Sequence, residues 1–179
     1  SSEAASGLDA AHHVMFDVAR DAFDNGIDKD ANCVTCYLNK AHVEQDRVLK
    51  RELFETALEL SEPGHPETIL AEAAVNWING EGDRFAGYAD LYAKYPNDRF
   101  LAAGAYRSLQ AEDKVDEARE MLLAAAERLN VGHLYNLLAY SYMWNIDPDS
   151  KEYDMALPYL EKYIQLDPRQ ANALDSLGE

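Results

Sequence analysis

Basic side chains are scarce in this sequence: 16 Lys and Arg stand against 33 Asp and Glu, a formal net charge of −17. Neutralising phosphates takes clustered Lys and Arg, so charge argues against nucleic acid and anionic lipid as partners. The excess acid reads either as a solvated surface or as one that draws basic partners. Long apolar runs are missing too. A membrane span needs roughly 18 such residues, and MLLAAA at 121–126 is among the longest here. No basic segment followed by an apolar one opens the chain, so the sequence reads as soluble, either cytoplasmic or exported with its leader removed. It lacks an Asn-x-Ser/Thr acceptor and any stretch that alternates apolar and polar residues, which removes strands and leaves an all-α fold. Since it starts at Ser1-Ser2-Glu3 and stops inside a helical pattern, it reads as a piece of a longer protein.

What is present is a repeated helical spacing, clearest from His133 onward. Tyr135, Leu138, Ala139 and Tyr142 recur at the 3/4 interval of one helix face. After a loop, Ala156, Leu160 and Tyr163 repeat it, Asp167-Pro168 stops the second helix, and Leu174, Leu177 and Gly178 begin the first pattern again. An aromatic, a Leu-small pair and a Tyr on helix A, followed by Ala, a large apolar residue and Pro on helix B, resembles the tetratricopeptide repeat. The small residue lets the paired helices approach closely, and Pro168 cannot continue helix B.

Earlier segments fit the same scheme with defects. Met15, Phe16, Ala19, Phe23 and Ile27 form one helical stripe, closed by Asp30-Ala31-Asn32, with Asn32 the expected N-cap of the next helix. Tyr37 and Ala41 hold the aromatic and small positions there, and the partner helix of about 46–60 shows Val48, Leu49, Leu53, Ala57, Leu58 and Leu60 as apolar. Pro63, Gly64 and Pro66 enforce a loop. A third pair takes 68–80 and 84–98 as its helices, the second about one turn short. A fourth has Phe100, Ala103 and Gly104, then Ala118, Leu122 and Ala125. The positions 41, 75, 104, 139 and 178 recur near the 34-residue period of the family. The resemblance therefore covers nearly the whole chain. It implies an α-α superhelix, a right-handed solenoid in a single domain 1–179, with helix pairs at roughly 1–31, 32–62, 67–97, 98–130 and 133–168 and a partial one at 171–179.

Residues that could carry chemistry do not assemble into a site. Cys33-Val34-Thr35-Cys36 sits where small packing residues belong, and packing is the favoured reading, with a local disulfide and a metal site as alternatives. Zinc would need two more ligands, from His12, His13 or His42. Asp147-Pro148-Asp149-Ser150 resembles the first half of a calcium loop, but Lys151 occupies the next ligand position. No cofactor, metal or catalytic group is assigned. Trp77, Tyr106, Tyr142, Trp144, Tyr159 and Tyr163 read as mostly core, whereas Tyr140, beside Ala139, projects to the other side of its helix.

In the family, the A helices line a concave groove that holds a partner's peptide or helix. Carried over by position, that groove displays Thr35, Leu38, His42 and Gln45, then Glu72, Asn76 and Asn79, then Leu101, Ala105 and Ser108, then Asn136, Tyr140 and Met143. Asn can hold a peptide backbone with paired donor and acceptor bonds, while Tyr140 and Met143 offer adaptable apolar area. Members of the family that clamp a partner's terminal carboxylate do so with Lys and Arg, and segments 67–83 and 133–150 hold none, so a neutral or basic peptide suits the wall better. The resemblance implies a non-catalytic scaffold or adaptor. The alternative is a regulatory or substrate-docking segment of a larger enzyme or signalling protein whose catalytic part lies elsewhere. Leu174 and Leu177 would leave a marginal last helix, which dimerises through its bare face or is completed by residues outside this sequence.

Overall fold

The computed structural model describes residues 1–12, 15–143 and 152–168, and within them it is entirely helical. The chain divides into two compact units, Ser1–Gly87 and Tyr88–Glu179. The first holds α1 (Ser2–His12), α2 (Phe16–Lys29), α3 (Val34–Val43), α4 (Arg47–Leu60) and α5 (Pro66–Ile78). The second holds α6 (Tyr88–Lys94), α7 (Arg99–Ala111), α8 (Val115–Leu129), α9 (Gly132–Met143) and α10 (Tyr153–Leu166).

Local chemistry sets several of the boundaries. The Asp46 carboxylate accepts from the amides of Val48 and Leu49 at 2.8 and 3.1 Å, and Asp98 does the same for Phe100 and Leu101. Each satisfies two amides that have no partner inside the helix. Pro66 opens α5, where its missing N–H costs nothing. Asn130 ends α8 at φ 51°, a left-handed conformation that Asn tolerates. Asn32 is not the cap of α3: Cys33 occupies that position, and the Asn32 amide instead donates to Asp30 in the preceding turn. The helix expected from residue 84 begins only at Tyr88. Gly87, at φ +83°, is incompatible with helical backbone and delays it.

In the first unit each helix packs on its neighbour in sequence, and α3 also meets α1 and α5. Its main core joins Leu38, Ala41, Leu53, Phe54, Ala57, Ala71, Ala74 and Ile78. Phe23 and Phe54 are fully buried, worth about 1.5–3 kcal/mol each. Met15 and Phe16, at 43% and 40% exposure, and Val48, at 68%, lie outside this core although the apolar stripes include them. They belong to the cap and first turn of α2 and α4, where no neighbouring helix covers them. Cys33 and Cys36 are buried, as packing requires, but their sulfurs are bonded to each other. The favoured reading of two free packing thiols is corrected to a disulfide across the first turn of α3. Among the described residues no group of His, Cys, Asp and Glu could hold a metal ion.

In the second unit α7 packs on α6, α8 and α9, and α10 packs on α9. Leu122, Leu134, Leu138 and Tyr163 are its largest fully buried side chains. Ala139 meets Ala156 and Leu160, as the repeat pattern requires. Trp144, the sequence 146–151, the segment 171–179 and the dimerisation expected from it lie outside the described residues.

The tightest approach is at Gly104, where a Cβ would fall 1.8 Å from the ring of Tyr88. Gly104→Ala therefore forces α6 and α7 apart. Despite Ala's better helix propensity, thermal or denaturant unfolding is expected to show a loss of about 1–3 kcal/mol. Adding Tyr88→Ala should make the Gly104→Ala change far less costly than it is in the native background. Equal costs in both backgrounds would refute the close-packing role of this position.

Candidate functional site

In the first unit, the C-termini of α3 and α5, the start of α4 and the turn at 79–87 converge at one end of the helices. Three glycines in and beside that turn, Gly80, Gly82 and Gly87, take positive φ and set its path. The turn carries Arg84, whose guanidinium lies over the rings of Trp77 and Phe85 at 5.2 and 5.1 Å. Such a stack fixes the cation without removing its charge. The same guanidinium contacts Nδ1 of His42 at 3.0 Å. Arginine can only donate, so Nδ1 accepts and the neutral ring carries its proton on Nε2. The His42 ring also meets Phe54 edge-on, with centroids 5.1 Å apart.

Burial, followed by the charges of Arg84 and Lys50, pushes the pKa of His42 down to about 3. Lys50 of α4 is shifted down by its own burial and by Arg84, against an opposing pull from Glu44. Glu44 accepts from the amides of Gln45 and Asp46. Next to Lys50, Arg51 reaches the carbonyl of Ile78 at the end of α5. Four cationic or cationisable groups thus meet where three helix ends come together. Of these, only His42 was legible as a site residue. Lys50 and Arg51 lie on a B helix, and Arg84 falls one residue beyond the basic-free segment 67–83. No sequence signal joins residue 84 to residue 42.

The remaining expected groove residues divide by burial. Gln45, Asn76 and Asn79 are exposed, and so is Trp77, which sequence alone assigns to the core. In the second unit, Leu101 and Ser108 are buried on α7, able to shape a wall but not to project from it. Asn136 on α9 is 8% exposed, and its Oδ1 is buried with no hydrogen-bond partner among the described residues. Tyr140 and Met143, one and two turns further along, are half-buried.

A second cluster in this unit is structural. Arg119 of α8 sits 4.1 Å from the ring centre of Tyr142, which stacks on Tyr159, and it donates to the carbonyl and hydroxyl oxygens of Ser141. Its bond to that carbonyl supplies a donor and a positive charge to the last turn of α9.

The neutral His42, with its ring Nε2 buried, makes stability depend on pH. With a folded pKa near 3 against an ordinary 6.5, the unfolded chain binds the extra proton between those values. Stability is complete above pH 6.5 and declines as pH falls toward 3, by up to about 1.4 kcal/mol per pH unit from this group. Urea midpoints between pH 6.5 and 5 should fall less steeply for His42→Gln than for the native chain. Identical slopes would show that His42 is not held neutral.

No family model and no curated protein matches the chain. Solved structures do. YrrB, described as a TPR protein with an unusual peptide-binding site, aligns over 97% of this chain and 89% of its own, with TM-score 0.52 and 17% identity. MamA from MSR-1 aligns over 92% and 94%, with TM-score 0.47 and 20% identity. None of the described helices is long and apolar enough to cross a membrane. Taken with the helix pairs and the buried small residues between them, the likeness to YrrB gives this chain the fold of the tetratricopeptide-repeat proteins.

Proposed function

We propose that the chain is a non-catalytic protein-interaction module that takes a neutral or basic peptide or helix along the faces of its A helices. The observation that supports this best is on α9. Asn136 holds a buried acceptor oxygen without a partner, and a buried polar group in that state costs about 1–3 kcal/mol. A peptide N–H would satisfy it, with the half-buried Tyr140 and Met143 beside it as the apolar part of the contact. Leu101 and Ser108 shape the neighbouring wall of α7. In the first unit, Asn76, Asn79 and Gln45 are exposed amides at the corresponding positions, next to His42. The peptide-binding site described for YrrB, a protein of the same fold, is consistent with this reading.

Charge narrows the partner. Three of the first unit's bases are spent on ion pairs between Arg20 and Asp17, Lys29 and Glu3, and Lys40 and Asp24. The remaining acid gives a negative field that favours basic chains and slows acidic ones. Peptide arrays of neutral, basic and acidic composition, followed by fluorescence anisotropy on the hits, test this. Asn136→Ala and Tyr140→Ala are each expected to weaken binding by about 5–30-fold with the fold unchanged by circular dichroism. Acidic peptides binding best, or hits indifferent to both substitutions, would refute the assignment.

A further inference from the structure

We propose that the converging helix ends of the first unit form an oxyanion-binding pocket built from His42, Lys50 and Arg84, with Trp77 as its aromatic floor. The site is separate from the peptide-binding reading, since Lys50 lies on a B helix and Arg84 in a turn. It shares only His42 with that reading, and its test turns on Lys50, which the peptide-binding reading does not use.

Donor chemistry carries the inference. Arg84 occupies the His42 Nδ1 lone pair, which leaves Nε2–H as a donor. That Nε2 is buried and has no hydrogen-bond partner among the described residues. Lys50, half-buried, makes no hydrogen bond or ion pair among them, although acids outnumber bases two to one in this chain. Its charge is felt at His42, and that of Arg84 is felt at Lys50. Two like charges beside a buried neutral donor are unfavourable on their own, and an anion among them reverses the sign of each interaction. Glu44 is the carboxylate that faces Lys50; its Oε1 is engaged by the amides of Gln45 and Asp46, and its attraction only partly offsets the burial and the Arg84 charge that act on Lys50. Arg84 is held in place by two aromatic rings, so this donor is positioned before any ligand arrives. Carboxylate and phosphate share the required chemistry, a compact charge with several acceptor oxygens.

The test compares melting temperatures in sodium phosphate, sodium acetate and sodium chloride at matched ionic strength. The native chain should melt about 2–4 °C higher in phosphate or in acetate than in chloride. The anion that produces the larger rise identifies the ligand as phosphate-like or carboxylate-like. Lys50→Met keeps the apolar stem and removes the charge. It should melt no lower than the native chain in chloride and lose the anion-specific rise, whereas Lys162→Met in the second unit should keep it. Equal rises in the native and Lys50→Met chains, or none for either anion, would overturn the proposal. As a readout that needs no variant, the His42 ring nitrogen signals of the native chain should move on phosphate or acetate addition. Signals indifferent to both anions would likewise overturn it.

Discussion

The structure depends on helices approaching so closely that no side chain fits between them. At Gly7 a Cβ would lie 2.4 Å from the Phe23 ring, and at Gly26 it would lie 2.6 Å from the sulfur of Cys36. At Gly132 it would meet both Tyr163 and the Asp167 carboxylate. In each case a large group from the facing element fills the space that glycine leaves empty, so the depth of contact is fixed by sterics and not by sequence-wide hydrophobicity. Depth in turn fixes where helix ends fall. Seating Tyr163 on Gly132 places the Asp167 carboxylate against the first turn of α9, the end of a helix that favours negative charge.

Three of the scarce basic side chains bond carbonyls at or near those helix ends. Arg51 donates to Ile78 at the end of α5, Arg119 to Ser141 in the last turn of α9, and Arg128 to Pro96 just beyond α6. The first two satisfy a carbonyl that helical geometry leaves without a partner and the third a carbonyl of the following turn, and Arg128 and Arg119 also lie over aromatic rings. Each ion pair takes one acid with one base, and a base at a helix end keeps its charge, so the excess of acid read from composition carries through to the folded chain.

This division also explains what could be read in advance. Ala41, Gly104, Ala139, Ala156, Leu160 and Tyr163 are all buried, and they were legible because close packing must recur with the helical repeat. Repeat position puts Leu101 and Ser108 on the displayed face, yet they are buried, because position within a repeat does not reveal how deeply a neighbour covers it. Phe54 is fully buried, although the aliphatic stripe of its helix does not include it. The disulfide stands in the sequence only as an alternative to packing, since two small buried side chains and a bonded pair occupy the same positions. The convergence of His42, Lys50 and Arg84 had no signature at all, because a turn with glycines at positive φ sets it and no periodic pattern records such a turn.

Lys50 and Arg84 break the rule that like charges are not half-buried together, and such breaks gather at functional positions. The surrounding acid makes the consequence specific. Beyond about 10 Å from a charge, salt screens most of its effect, but inside that distance a free anion nearing the first unit meets a repulsive field before it reaches the cations. An anionic group carried on a neutral or basic chain does not, because its carrier is attracted by the same field that repels the free ion. The pocket proposed above, set within an acidic surface, would select for a mixed partner, basic in general and acidic at one point. Neither a uniformly acidic nor a uniformly basic chain satisfies both conditions, so two weak electrostatic preferences combine into a stricter one.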